Sequence, residues 1–369
     1  MLGANLMKCC ACFSMPWLAL ILLILAGPAG AELLVSDFNN HQVLRYHETN
    51  GAFLDVFVPN TNGQLSLPHG LAFGPDGHLY VASAGNDRVL RYHGTSGAFM
   101  DVFVNSNAGL DYPVRLIFRP DGLLYVSSQL NDRVLRFNAT NGNFVDVFVT
   151  NSAALVGPSD MTFGPDGNLY VVGRFNNRVV RYHGTNGAFM DVFVTNNLAQ
   201  PFGLRFGPTN DLLVVSGNDN RVQRFSGLNG SFINTFAASG GLGLPIGIIY
   251  GPDANLYVAS FNGHRVVRFD SLTGANLGDF VANGSGGLSG PNFMVFRPPA
   301  APSTSTSLSI ARSTTNAVVS WPVKNIPAML QRATDLSPRT GPSSPTPVRG
   351  PVRPMWSSNR PARATDSSG

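Results

Sequence analysis

The sequence predicts an all-β protein, a six-bladed β-propeller of four-stranded antiparallel blades closed by a C-terminal strand that completes the first blade. Three observations carry this. The phrase NDRVLRY at residues 86–92 returns downstream as NDRVLRF, NNRVVRY, DNRVQRF and GHRVVRF, with a looser NHQVLRY at 40–46. The turn prolines Pro75, Pro120, Pro165, Pro208, Pro252 and Pro298 stand 43 to 46 residues apart, a period that means a ring or stack of small units. The ends of the repeated region are complementary. Residues 33–36 match a second strand, 79–82, whereas 291–296 match only a first strand, 68–73. Pairing the two fragments leaves no exposed sheet edge at the seam. An open stack would instead need atypical capping units.

Within one unit, residues 68–104, four short runs follow one another, anchored by Leu71 and Phe73, Leu79 and Val81, Val89, and the segment 99–104. Their length and their Val, Tyr and Phe content are those of strands. The stretches between them are turns. Gly74-Pro75-Asp76-Gly77 combines a fixed φ at Pro with a Gly free to take positive φ, and 84–87 and 94–97 make the other two. No useful helical periodicity interrupts the unit. The low charged fraction (12 %) and the 44 % hydrophobic content fit a turn-rich β protein.

The two ends of the chain read differently. Lys8, the apolar run 17–26 and Ala29-Gly30-Ala31 form the pattern of a secretory signal peptide, 1–31, cut before Glu32; a retained anchor is the alternative. Cys9, Cys10 and Cys12 all lie inside it. The mature chain would then have no disulfide and no thiolate metal site, and it is expected outside the cell or in the periplasm, without a membrane span, as a monomer. The propeller is expected over 32–300. Residues 301–336 alternate like two or three short strands around Trp321 and look like the opening of a small β-module of secreted bacterial proteins. Residues 337–369 read as a disordered Pro, Ser and Arg tail, and a change of reading frame after Leu336 is the alternative there. From 301 onward the chain carries seven Arg and one Lys against two Asp, whereas 32–300 carries 16 Arg against 19 acidic residues. The basic excess lies outside the repeats, so no nucleic-acid partner is expected.

The unit P-x-G-φ-A-F…DG-x-φ-Y-V-A-S…G-N-x-R-V, with φ apolar, covers 33–298 and resembles the NHL-repeat family of β-propellers, of the secreted bacterial type. One departure stands out. Such units commonly carry Asp after Val-Ala, where this chain has Ser83, Ser128, Gly173, Ser216 and Ser260; Asp37 alone keeps the acid.

The repeated residues read as scaffold. Asn86, Asn131, Asn176 and Asn262 suit turns. The arginines of each phrase, such as Arg88 and Arg91, fall on opposite strand faces. Asp55, Asp101, Asp146, Asp191 and Asp279 recur on the fourth strand, within reach of those arginines. Selective chemistry belongs where the copies differ, at the loops leading into each first strand. Those loops are neutral and variable. Beside them lie His69, Arg115, Ser159, Asp160, Phe202, Ile246 and Asn292, and the next turns add Phe38, Leu130, Arg174, Phe175 and Phe261. Of these, Phe38, His69, Arg115, Arg174, Phe175, Phe202, Phe261 and Asn292 are candidate contacts to a glycan, a peptide or a protein.

The catalytic candidates are His69 and Asp160, and the metal candidates are Asp160 and Asn292, with Asp37 within reach. Resemblance to lactonases of this fold implies a divalent cation, and resemblance to streptogramin lyase-like propellers implies a channel histidine with acidic or metal support. A hard cation wants six or more oxygens, and few carboxylates are available here. No cofactor is therefore expected, with Ca2+ as the alternative. A Ser159–His69–Asp160 set lacks a nucleophile elbow. The expectation is a binding scaffold acting by recognition and not by catalysis. A metal-dependent lactonase or lyase, of gluconolactonase-like or streptogramin-lyase-like type, is one alternative, and a structural matrix protein is the other.

Overall fold

A computed structural model describes residues 32–60, 64–150, 152–238, 240–297, 309–312 and 317–320. The signal-peptide reading and the tail after 320 lie outside them. Blade 1 contains β1 (Glu32–Asp37), β2 (Gln42–His47) and β3 (Phe53–Val58). Blade 2 contains β4 (Pro68–Phe73), β5 (Leu79–Ser83), β6 (Arg88–Tyr92) and β7 (Phe99–Val104). Blade 3 contains β8 (Pro113–Phe118), β9 (Leu123–Ser128), β10 (Arg133–Asn138) and β11 (Phe144–Val149). Blade 4 contains β12 (Pro158–Phe163), β13 (Leu169–Gly173), β14 (Arg178–Tyr182) and β15 (Phe189–Val194). Blade 5 contains β16 (Pro201–Phe206), β17 (Leu212–Ser216), β18 (Arg221–Phe225) and β19 (Phe232–Ala238). Blade 6 contains β20 (Pro245–Tyr250), β21 (Leu256–Ser260), β22 (Arg265–Phe269) and β23 (Asn276–Val281).

The next strand, β24 (Pro291–Phe296), leaves blade 6 and pairs with β1, giving the sheet order β24-β1-β2-β3. Leu33 faces Phe296, Leu34 faces Val295 and Val35 faces Met294. The ring is thus sealed as the complementary ends require. Separately, β25 (Ser309–Arg312) and β26 (Ala317–Ser320) pair as an antiparallel hairpin. No helix among the described residues is long and apolar enough to cross a membrane.

Packing follows from the strand patterns. The second strands, such as LYVAS of β5, are buried on both faces, because each blade is sandwiched between two others. Six apolar clusters fill the spaces between consecutive blades, including one between blades 6 and 1 that joins Tyr257 and Phe280 to Leu33 and Tyr46. Tyr80 sits edge-on between Phe103 of its own blade (4.8 Å) and Phe118 of the next (4.7 Å), and the arrangement recurs around Tyr125, Tyr170 and Tyr257. Such edge-to-face contacts add about 0.5–1.5 kcal/mol each beyond the area they bury.

The outer arginine of the repeated phrase clamps the fourth strand. Arg45, Arg91, Arg136 and Arg181 each grip Asp55, Asp101, Asp146 and Asp191 with two nitrogens. Each also lies over the ring of Phe57, Phe103, Phe148 or Phe193. In blade 6 the acid Asp279 pairs with the first arginine, Arg265, at 2.9 Å. Blade 5 has Asn234 at the acidic position, and Arg224 turns to Asp211 instead. The outer turns demand glycine. Gly142 has φ +72°, and a Cβ there would stand 1.9 Å from the carbonyl oxygen of Phe103 in the preceding blade.

Candidate functional site

Two sets of side chains hold the loops that enter the first strands. In the first set, the residue closing the second-to-third-strand turn adopts positive φ in all six blades: His41, Asp87, Asp132, Asn177, Asn220 and His264. Its side chain accepts a hydrogen bond from the backbone N–H just before the next blade's proline. The donors are Leu67 (2.8 Å), Tyr112 (2.8 Å), Gly157 (2.7 Å), Gln200 (2.7 Å), Leu244 (2.7 Å) and Gly290 (3.1 Å). The phrase NDR therefore ends in a latch from one blade to the next.

The second set is the position that departs from the NHL pattern. Ser83, Ser128, Ser216 and Ser260 accept bonds from the loop N–H groups of Ser66, Asp111, Ala199 and Gly243. Asp37 does the same for Ser289 at 3.0 Å. Its other oxygen is taken by Asn40 and Gln42, so its carboxylate is committed to the loop, and the expectation that it could reach a metal is not met.

With the loops fixed, the second and third residues of the first strands line the axis. Val114, Phe202, Ile246 and Phe293 form an apolar plug. Around it the polar candidates separate into two groups. In the first, His69 is 5 % exposed. One ring nitrogen meets the Asn292 amide at 2.9 Å, and the other meets the Tyr112 hydroxyl at 3.3 Å. Phe38 packs edge-on against His69 at 5.2 Å and reaches Phe261 at 5.7 Å. Burial, and secondarily the charge of Arg174, push the His69 imidazole down to about 3, against a weaker upward pull from Asn292; the ring is neutral at physiological pH. Burial raises the Tyr112 phenol, and Arg174 opposes that. Arg174 lies over Phe202 at 4.1 Å and beside Phe175 at 5.4 Å. Phe175 is 49 % exposed at the rim, and Leu130 lies there too.

The second group surrounds Asp160, which is wholly buried. Its oxygens accept from the backbone N–H groups of Met161 (2.9 Å) and Leu204 (3.1 Å) and from Arg205 Nη1 (2.8 Å). Arg115 Nε lies 3.2 Å away, with its guanidinium over Phe293 at 5.9 Å. Burial, then the charge of Arg205, bring Arg115 down to about 10 against the pull of Asp160; it stays charged at neutral pH. The Ser159 hydroxyl donates to the Phe202 carbonyl oxygen at 2.8 Å and does not join His69.

His69, Asn292, Phe38 and Phe261 are thus brought together, as are Arg174, Phe175 and Phe202, with Phe202 serving as the floor under the guanidinium. Asp160 is held by arginines and backbone amides and is not within hydrogen-bond reach of His69. Two residues escaped the sequence reading. Tyr112 occupies the position before the blade 3 proline, where the other blades have Leu, Gly, Gln, Leu and Gly. Arg205 occupies a first-strand column otherwise made of Ala72, Ile117, Thr162, Ile249 and Val295. A lone arginine in that column was the signal available.

The residues do not fit a divalent cation. Among the described residues no three His, Cys, Asp or Glu side chains converge. The candidate ligand Asp160 is spent on arginines and amides, and the candidate ligand Asn292 on His69.

The fold and the axial cluster define a six-bladed propeller with a histidine-bearing channel mouth. The chain belongs to the virginiamycin B lyase family, which it matches over residues 12–269. This overturns the expectation that the protein is not an enzyme, since the family is named for a lyase. No curated protein matches the chain significantly. Among solved structures, a chain of a nidogen–laminin complex is 18 % identical with a TM-score of 0.61, over 73 % of this chain and 99 % of that one. At that identity the likeness is one of fold alone. A streptogramin B lyase is 14 % identical with a TM-score of 0.47, over 66 % of this chain and 71 % of that one. A virginiamycin B lyase from Staphylococcus aureus is 18 % identical with a TM-score of 0.44, over 55 % of this chain and 67 % of that one.

Proposed function

We propose that the chain is an enzyme, a lyase that breaks a carbon–oxygen bond of a small organic substrate by elimination at the channel mouth. One observation carries the reading: a buried, neutral His69 hydrogen-bonded to Tyr112 and Asn292, in a chain of a lyase family. In elimination a base takes a proton from carbon, the C–H pair becomes the new double bond, and the C–O pair departs on oxygen. The proton then returns to that oxygen, so no water and no oxidant is consumed. His69 is the group available to take the proton, and the Tyr112 hydroxyl is placed to relay it. Asn292 fixes the orientation of the imidazole. The guanidinium of Arg174 offers fixed positive charge where negative charge builds on the substrate. No step is assigned to a metal, because the donor set does not fit one.

The test is turnover of virginiamycin B and a panel of lactones, with and without a free carboxylate, by the full chain, followed by mass spectrometry. His69→Gln should lower kcat by about 10²-fold or more, with the fold intact by circular dichroism. Equal rates for both proteins would sink the assignment. The half-exposed Phe175 ring beside Arg174 favours one other reading, capture of a glycan, peptide or protein without turnover. Saturable binding with no product in the same assay would favour it.

A further inference from the structure

We infer that the channel mouth recognises its substrate through a carboxylate gripped by Arg174, so that the molecules it accepts are small organic anions. This rests on the reading above that substrate sits at the mouth, and it adds the substrate class.

Among the described residues the Arg174 side chain has no ion pair and no hydrogen bond, and its Nε is buried without a partner. The last arginines of three of the repeated phrases show the contrast. Arg91, Arg136 and Arg181 each lie over an aromatic ring and are also paired with an aspartate. Arg174 has the rings of Phe202 and Phe175 but no acid. A guanidinium keeps its charge in proteins, and an uncompensated, partly buried charge is costly. With Nε buried, its planar Nη1–Nη2 edge is the one left to meet a carboxylate with two parallel hydrogen bonds.

The surroundings have the same sign. Arg115 Nη1 and Arg205 Nη2 are also buried without hydrogen-bond partners, and Asp160 is the one carboxylate paired with these two guanidinium groups. Two arginines against one aspartate leave a net positive charge in that cluster, which disfavours a cation and favours an anion. Arg174 further lowers the basicity of His69. A carboxylate on Arg174 would cancel that charge and make the imidazole a stronger base only when substrate is present.

The experiment is calorimetric titration of the full chain with malonate, uncharged malonamide and inorganic phosphate at fixed ionic strength, for wild type, Arg174→Gln and the exposed control Arg133→Gln. Malonate should bind wild type and Arg133→Gln alike, malonamide should not bind, and Arg174→Gln should weaken malonate by about tenfold or more. Malonate should also raise the His69 pKa, read by imidazole NMR. Thermal melting of unliganded Arg174→Gln verifies folding. No malonate binding, or undiminished binding by folded Arg174→Gln, would overturn the inference, and phosphate binding tighter than malonate would overturn the carboxylate assignment. Loss of malonate binding alongside continued elimination removes this inference and leaves the lyase reading standing. Malonate binding without turnover of any substrate does the reverse.

Discussion

A histidine held neutral inside a channel leaves a mark on stability. The unfolded His69 takes up its proton near pH 6.5, whereas the folded one resists until about pH 3. Between those values the unfolded chain binds more protons, so acid destabilises the fold across that window. Every tenfold difference in proton affinity between the folded and unfolded ring corresponds to about 1.4 kcal/mol. His69→Gln should therefore flatten the acid limb of a denaturation series between pH 6.5 and 3 relative to wild type, and an unchanged limb would show that the ring is solvated. At this scale the sequence was partly legible. His69 stood out because every other histidine of the propeller sits in a repeated turn or, like His41 and His264, in a latch. Tyr112 did not stand out, because its loop differs in sequence from every other loop that leads into a first strand. Its placement follows from a backbone φ of 58° and a bond to Asp87 in the preceding blade, and neither can be read from one copy.

Strands and turns show why the seven-residue phrase is repeated. Its Asn bonds back to the preceding loop carbonyl, as Asn86 does to Gln64 and Asn131 to Gly109. Its next residue latches the following blade, and its last arginine clamps the fourth strand. The strands and turns were readable from periodicity, but the latches were not, since they join residues 23 to 26 positions apart on different blades. Asp132→Ala leaves the Gly157 N–H without its partner and should cost about 1–2 kcal/mol in chemical denaturation. Asp87→Ala should cost a similar amount and also raise KM, because it frees Tyr112; a KM equal to wild type would place Tyr112 outside the site. The residues before the prolines are strained in turn. Gln200 has φ 48°, so Gln200→Gly should gain about 1 kcal/mol, whereas Gly142→Ala should destabilise through both its φ and the Phe103 carbonyl. Equal melting temperatures for all three proteins would contradict this account of the turns.

Over the whole molecule, the complementary ends were sufficient to foresee the ring, its blade count and its seam, because closure is a bookkeeping of strands. Removing Pro291–Phe296 should expose β1, take Met294 and Phe296 out of the cluster around Leu33, and lower Tm sharply; an unchanged Tm would refute the seam. Function was less legible. Carboxylates and histidines are too scattered among the repeats to mark a catalytic cluster, which predicts a recognition scaffold, and family membership corrects that expectation. The site is a property of the closed ring, since Arg115 of blade 3 and Arg205 of blade 5 meet only at Asp160 of blade 4. The most direct test of the central claim, elimination at the channel mouth, is turnover in water enriched in heavy oxygen, with wild type and His69→Gln compared by product mass. The account predicts a wild-type product that carries no heavy oxygen and, from a lactone, has the mass of the intact substrate, and a rate that collapses in His69→Gln. A product that has gained one labelled water, or label-free turnover unaffected by the loss of His69, would contradict it.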